Sequence, residues 1–296
     1  RWSFTDVTGD LSVSLLQGNV DQNTKWRPEN RRQIFADYVE LSKTEHGRDL
    51  IVWPEASLTF LKESIASELS VYGKNLGDEG TGLILGIPSL TEDGYFQNTL
   101  LGIGRAEGTY IKRQLVPFGE FVPMERHLRG IISFFDLPMS RNVPGPSVQS
   151  PLAINGTEFS SSICYEIAYP ELVRIADIDP AFILTVSNDT WFGSSIGPWQ
   201  HLQLARMRAL ENERMLVRTT NNGITAVIST RGQVLASLPQ FSRGVLRHDL
   251  EMRSGNTPFQ RFGSWPFLFT AVAILIFGAY RTQKIKTASI KNNSTP

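Results

Sequence analysis

The amino-acid sequence predicts an α/β layered domain closed by one membrane-spanning helix. Between residues 10 and 250, short apolar runs alternate with longer amphipathic stretches. Near the C-terminal end, nineteen consecutive residues, 262–280, carry no charge. The chain has 296 residues, 20% charged and 41% hydrophobic, which is the composition of a globular protein long enough to bury a large core.

Strands are expected over residues 11–16, 50–53, 83–87, 99–103, 159–164, 182–187, 216–219, 226–229 and 244–248, where apolar and β-branched residues run together. Several of these runs are apolar on both faces, as in strands covered on both sides of a sheet. Helices are expected over 29–44, 64–72, 170–176 and 199–214, with Pro170 at a first-turn position. The Pro/Gly-rich stretch 142–147 divides this domain into two halves that share one core. Residues 1–9 read as a linker and 10–258 as the folded domain.

As a helix, residues 262–280 would reach about 28 Å, close to the hydrocarbon thickness of a bilayer. Trp265 and Tyr280 bracket the run as interfacial aromatics, and Pro266 suits a first helical turn. The tail, 281–296, carries Arg281, Lys284, Lys286 and Lys291 and no acid, so it is expected in the cytoplasm. Residues 1–260 would then lie across the membrane, in the periplasm of a bacterium. The chain opens on Arg1-Trp2-Ser3, without methionine or signal peptide, as expected of a processed chain or a fragment.

Basic and acidic residues balance at 29 each, and no basic patch interleaves with aromatics, which argues against nucleic acid as a partner. The single cysteine, Cys164, excludes an internal disulfide. No His/Cys/carboxylate cluster has metal-ligand spacing, so neither metal nor cofactor is expected.

Three motifs carry chemistry. Cys164 stands where a strand hands over to a helix, at the exposed rim of the sheet, in Ile163-Cys164-Tyr165-Glu166. A helix N-terminus and a nearby cation would favour its thiolate. Glu55, in Trp53-Pro54-Glu55, follows directly on a buried strand that Pro54 ends, and is a candidate general base. Lys112 ends another strand-like run, with Glu120 eight residues on across a Pro/Gly turn. Beside the cysteine, that lysine would lower the thiol's pKa and donate to an oxyanion, while Glu120 oriented it. Strand alternation points the competing cation, Arg113, the other way. Each motif alone has an ordinary reading: a small buried hydrophobe, a turn carboxylate, a surface ion pair.

Glu55, Lys112 and Cys164, in that order, resemble the Glu-Lys-Cys triad of the nitrilase superfamily. Gln17-Gly18-Asn19, Lys25-Trp26, the run 115–123, Ile163-Cys164-Tyr165-Glu166, the run 188–193 and the run 205–214 resemble, within it, the apolipoprotein N-acyltransferase family. The resemblance spans about residues 10–280 and implies a four-layer αββα sandwich followed by a transmembrane helix. It also implies a bacterial inner-membrane enzyme whose Cys164 takes an acyl group from a phospholipid donor as a thioester. The acceptor would be the diacylglyceryl-cysteine of an apolipoprotein, at the last step of lipoprotein maturation. Glu120 and Glu166 would position Lys112 and the amine, Tyr165 would pack beside the nucleophile, and Trp26 and Asn188 would touch substrate or line the pocket. Members of the family carry several membrane helices before the catalytic domain; none precedes it here, so a segment beginning in the periplasmic part is expected. The apolar residues of 121–139 suggest a lid that dips into lipid.

Three other readings stand beside this one. In a nitrilase-type amidase, water would resolve the thioester. A serine hydrolase would use Ser195, in the G-x-S-x-G match Gly193-Ser194-Ser195-Ile196-Gly197. A membrane-anchored binding module would carry the same fold without activity.

Overall fold

The computed structural model describes residues 3–117, 119–121, 142–174 and 179–292, with side chains through residue 283 of the last helix. The expected lid, beyond Phe121, lies outside the described residues. The first half of the chain forms β1 (Asp6–Gln17), β2 (Leu50–Val52), β3 (Gly82–Leu90), β4 (Phe96–Gly104), β5 (Ala106–Glu107) and β6 (Thr109–Ile111). The second half forms β7 (Leu152–Ile154), β8 (Thr157–Ile163), β9 (Ile183–Ser187), β10 (Leu216–Thr220), β11 (Ala226–Ile228), β12 (Val234–Ser237) and β13 (Gly244–Ser254). The helices are α1 (Gln22–Lys25), α2 (Arg31–Ser42), α3 (Ala66–Asp78), α4 (Pro170–Val173), α5 (Gly197–Asn212), α6 (Pro258–Phe262) and α7 (Trp265–Asn292).

Among the described residues these strands make two mixed sheets, ordered β13-β1-β2-β3-β4-β6 and β12-β11-β10-β9-β8-β7-β5. Each has a parallel centre, β1-β2-β3 in one and β8-β9-β10 in the other. Strand periodicity sorts the side chains between layers. In β2, Leu50 and Val52 turn inward to the space between the sheets, where Val13, Leu15 and Ile84 meet Phe159, Ile163, Leu184 and Val217. Ile51 turns outward beneath α2 and α3, where Ile34, Tyr38, Leu69 and Leu76 cover it together with Trp53 and Leu83. On the second sheet's outer face, Leu202, Ala205 and Ala209 of α5 cover Ile183, Leu216 and Ile228. The result is the expected αββα sandwich, with both halves of the chain contributing to the central core. Each buried Leu, Ile or Val there stabilises the fold by about 1.5–3 kcal/mol.

Two expectations need correction. The region expected as a linker, 1–9, holds the start of β1, where Asp6 pairs with Ser254 of β13. The first half of that strand lies mostly outside the core, so its sequence lacks the apolar signal of a strand. The expected helix over 29–44 divides into a 3-10 turn at Pro28–Asn30, α2, and a second 3-10 turn at Lys43–Glu45. At the C-terminal end, α7 runs 28 residues, continuing past Tyr280 through the basic segment. Its stretch Trp265–Gln283 is long and apolar enough to cross a bilayer and is 0% buried against the rest of the protein.

Candidate active site

The carboxyl ends of the parallel strands open on one side of the sandwich, where α/β folds place ligands. Glu55 arrives there from β2. Trp53 N–H extends the ladder to the Ile84 carbonyl at 2.9 Å, and Pro54 then ends it. Trp53 stacks on Tyr38 at 5.0 Å and donates from Nε1 to Ser42 Oγ at 2.9 Å, fixing the strand end from behind. Ala56 turns the chain at φ 43°, and the loop presses so closely on β3 that a Cβ at Gly86 would lie 2.5 Å from Pro54 O and Ala56 N. The Glu55 carboxylate, 6% exposed, accepts from Asn98 Nδ2 at 2.8 Å on Oε1 and from the Asn188 amide at 2.6 Å on Oε2.

Lys112 follows β6, whose ladder it prolongs by donating its N–H to the Asn98 carbonyl at 2.9 Å. Asn98 thus fixes Lys112 through its backbone and Glu55 through its side chain. The ammonium, 1% exposed, donates to Glu120 Oε1 at 2.6 Å and lies 3.7 Å from Glu55 Oε1. Burial opposes its charge, but Glu55, Cys164 and Glu120 outweigh burial and hold its pKa above the usual lysine value. Glu120 is fixed by accepting from the Val116 amide at 2.9 Å. Arg113 points away, as expected: it rests over the Tyr110 ring at 5.4 Å and donates to the Leu172 carbonyl.

Cys164 directly follows β8 and begins a 3-10 turn, Cys164–Ala168, with φ 54°. A non-glycine residue in this left-handed region carries on the order of 1–3 kcal/mol of strain. The residue is half-buried rather than exposed at a rim. Its thiol is pushed up to about 12 by burial first and then by Glu55, against the pull of Lys112. This corrects the expectation of a stabilised thiolate. Lys112 does act on the sulfur as expected, but desolvation and the neighbouring carboxylate win.

Glu166, fully buried, accepts four hydrogen bonds: from Ile163 N–H at 2.8 Å, Arg113 N–H at 2.6 Å, Gln114 N–H at 3.0 Å and Tyr110 Oη at 2.9 Å. It ties the segment after Lys112 to the turn at Cys164, and reaches Lys112 through the backbone alone. Burial raises its pKa above the ordinary carboxylate value, against those hydrogen bonds. Asn188 follows β9; besides holding Glu55 it donates to Gln22 Oε1 at 3.0 Å. Tyr165 turns outward, 42% exposed, its ring edge-on to Tyr169 at 5.5 Å. Trp26 is half-buried beside Lys25, its indole N–H without a hydrogen-bond partner among the described residues.

Glu55, Lys112, Glu120, Cys164 and Asn188 therefore converge, Glu166 braces them, and Tyr165 and Trp26 sit at the margin. Sequence reasoning missed Asn98, and it gave Lys25, quoted only within the Lys25-Trp26 motif, no role. Lys25 is fully buried, and its ammonium donates to the Glu55 carbonyl at 3.4 Å. Asn98 sits in the polar triplet Gln97-Asn98-Thr99 at the start of β4, and nothing in the sequence sets it apart from its neighbours. Ser195, in contrast, lies beyond the end of β9, after the 3-10 turn Asp189–Phe192, where its Oγ accepts from Gly197 N–H at 3.1 Å. That position is not the strand-to-helix elbow a serine nucleophile needs. Among the described residues, no group of three or more His, Cys, Asp or Glu side chains could hold a metal ion.

A buried carboxylate, an ammonium and a thiol at strand ends of the two sheets accord with comparisons to known proteins. The family model described as Carbon-nitrogen hydrolase matches residues 12–256. The chain belongs to the carbon-nitrogen hydrolase family. Within the curated relatives, it is 44% identical over 281 residues to an apolipoprotein N-acyltransferase of Pseudomonas syringae pv. tomato, covering 93% of this chain and 55% of that protein. It is 43% identical over 290 residues to the apolipoprotein N-acyltransferase of Vibrio vulnificus, covering 93% of this chain and 57% of that one. The chain thus spans little more than half the length of these relatives. Among solved structures, Saccharomyces cerevisiae Nit3, of the nitrilase superfamily, superposes with a TM-score of 0.61 at 18% identity, covering 83% of this chain and 91% of that one. The carbon-nitrogen hydrolase superfamily protein XC1258 of Xanthomonas campestris superposes at 0.59 and 21% identity, covering 82% and 91%. These likenesses establish the carbon-nitrogen hydrolase fold.

Proposed function

We propose that this chain carries the catalytic domain of an apolipoprotein N-acyltransferase. In this reading it moves an acyl group from a phospholipid to the α-amino group of a lipoprotein's N-terminal diacylglyceryl-cysteine. The observation that carries the reading is the Lys112 ammonium, buried between Glu55 and Glu120 and electrostatically coupled to the Cys164 thiol.

The thiol proton passes to Glu55 as sulfur attacks the ester carbonyl, so that thiolate never accumulates; this suits a thiol held near 12. The tetrahedral oxyanion develops beside Lys112, whose charge Glu120 keeps in position. Collapse breaks the ester C–O bond, and the lysophospholipid oxygen leaves with the proton from Glu55. The acyl group remains on Cys164 as a thioester. The acceptor amine then attacks the same carbon, Glu55 takes its proton, and the departing sulfur recovers that proton as the amide forms. Asn98 and the Asn188 amide hold both oxygens of Glu55 throughout, while Tyr165 and Trp26 offer apolar surface to the lipid-modified substrates.

In this reading α7 crosses the inner membrane, its basic end lies in the cytoplasm, and the sandwich faces the periplasm beside the bilayer that supplies the donor. Hydrolysis, with water resolving the thioester, would use the same side chains. The similarity to apolipoprotein N-acyltransferases over 93% of the chain and the apolar α7 favour an amine acceptor.

Phospholipid vesicles carrying the protein should yield an acyl adduct by intact mass, absent in Cys164→Ser. Adding a diacylglyceryl-cysteine peptide should discharge the adduct into N-acyl peptide. Free fatty acid as the main product at saturating peptide would overturn the transferase reading and leave an amidase-like hydrolase.

A further inference from the structure

Behind the nucleophile lies a buried polar group that the proposed chemistry does not use. His201, on α5 and 5% exposed, has Nε2 at 2.9 Å from the carbonyl oxygen of Cys164. A carbonyl oxygen only accepts, so Nε2 carries the proton of this contact. The other ring nitrogen, Nδ1, lies 3.0 Å from Asp189 Oδ1 and 3.1 Å from Arg218 Nη2. Asp189 in turn accepts from Arg218 Nη2 at 2.5 Å and from Ser187 Oγ at 2.6 Å. Asp189 and Arg218 are themselves buried, on the turn after β9 and on β10. The packing against Asp189 leaves no slack: a Cβ at Gly223 would overlap Asp189 Oδ2. Phe192 meets the His201 ring edge-on at 6.3 Å.

This chain of contacts ends on the one backbone carbonyl whose orientation matters most. Cys164 holds φ 54°, a conformation that an L-residue leaves readily unless its surroundings fix it. The direction of the Cα–Cβ bond, and so of the sulfur, follows from that backbone.

We propose that His201 is a positioning residue: braced by Asp189 and Arg218, it donates through Nε2 to the Cys164 carbonyl and locks the nucleophile's left-handed backbone so that sulfur faces Glu55 and Lys112. The inference rests on the reading of Cys164 as nucleophile and deepens it. His201 moves no proton in the reaction; it acts through the peptide of Cys164.

Two near-isosteric substitutions separate the ring's two ends. Glutamine extends its amide to about the reach of Nε2, and asparagine extends its own to about the reach of Nδ1. His201→Gln therefore keeps the donor to Cys164, whereas His201→Asn keeps only the side toward Asp189. The full chain is reconstituted in phospholipid vesicles, and single-turnover acylation of Cys164 is followed by intact mass. His201→Asn should acylate about a hundredfold more slowly, the cost of a nucleophile misplaced by around an ångström, with half-saturation by phospholipid unchanged within about twofold. His201→Gln should recover most of the rate, at a melting temperature no higher than that of the asparagine variant. Equal rates in the two variants, whether both fast or both slow, would overturn the proposal, because a space-filling ring would be indifferent to which end is kept. A check on the unsubstituted protein needs no variant to fold: the nitrogen chemical shift of His201 Nε2 should be that of an N–H nitrogen at working pH. A bare Nε2 would overturn the proposal equally. Failure of the underlying reading gives a different pattern, with no adduct on Cys164 in the unsubstituted protein.

Discussion

Lys25 places a positive charge where the fold can least accommodate it. The side chain is fully buried, and burial lowers its pKa from 10.5 to about 8, against the pull of Glu55. The folded state therefore binds this proton more weakly than the unfolded chain does, and stability rises with pH across that interval. The charge burdens the folded state fully below about pH 8 and ceases to matter above 10.5. Lys25→Met should stabilise the protein at pH 7 by about 2–3 kcal/mol, with the gain fading as pH climbs from 8 to 10.5, measured by urea unfolding at several pH values. A gain independent of pH would mean that packing, not charge, sets the effect. Cys164 offers a second test, because Glu55 raises its pKa and, in the proposed mechanism, also accepts its proton. Glu55→Gln should speed alkylation of this single cysteine by iodoacetamide severalfold, as the opposing charge is gone. The same change should slow acyl transfer by about 10²–10⁴-fold, since the base is gone too. Parallel losses in both assays would indicate a distorted site rather than a missing base.

At the scale of elements, the site is assembled by strand ends, and their legibility follows from what marks them. The apolar run before Trp53-Pro54-Glu55 and the residues 159–163 before Cys164, three of them serines, are buried on both faces, and the candidate residue at each end stands out where the strand stops. Asn98 was not legible, because its two roles, backbone partner of Lys112 and side-chain partner of Glu55, depend on the register of β4 against β3 and β6. The strain at Cys164 and Ala56 was equally silent, since neither residue type announces a positive φ. The proximity of Lys112 suggested a thiolate, but the sign of the thiol's shift depends on desolvation, which only packing reveals. Gly86 is where β3 meets the Glu55 loop, and the absence of a side chain there lets the two touch. Gly86→Ala must part them by roughly half an ångström or more. It should destabilise by about 1–3 kcal/mol and cut acyl transfer by at least tenfold more than the stability loss accounts for, read from activity at a temperature where the variant is folded. Activity that tracks folded fraction alone would show that the loop absorbs the shift without moving Glu55.

At the scale of the whole molecule, the sandwich and α7 are energetically separable. The central core draws on both sheets, and none of the apolar stretch Trp265–Gln283 is buried against it. The junction is polar: Glu171 of α4 accepts from the Ser264 amide at 3.0 Å and its hydroxyl at 3.1 Å, and Arg174 donates to the Gln260 carbonyl at 2.8 Å. Exposed or half-buried hydrogen bonds of this kind contribute little to global stability, but they start α7 from the helix that follows the turn at Cys164. Phe267, Phe269, Ile274, Leu275 and Phe277 are all more than 60% exposed, an apolar surface that water would not tolerate and a bilayer would cover. Ending the chain after Ser264 should therefore yield a domain that stays monodisperse without detergent and melts within a few degrees of the full chain. On the proposed function, the same truncation should abolish acylation of Cys164 by vesicle phospholipid while sparing acylation by a water-soluble short-chain thioester, because Glu55, Lys112 and Cys164 all lie in the part retained and only access to the bilayer is lost. If the truncated domain still took acyl groups from vesicles at the full chain's rate, α7 would be dispensable for presenting Cys164 to lipid, and the sandwich would have to reach the membrane by another surface.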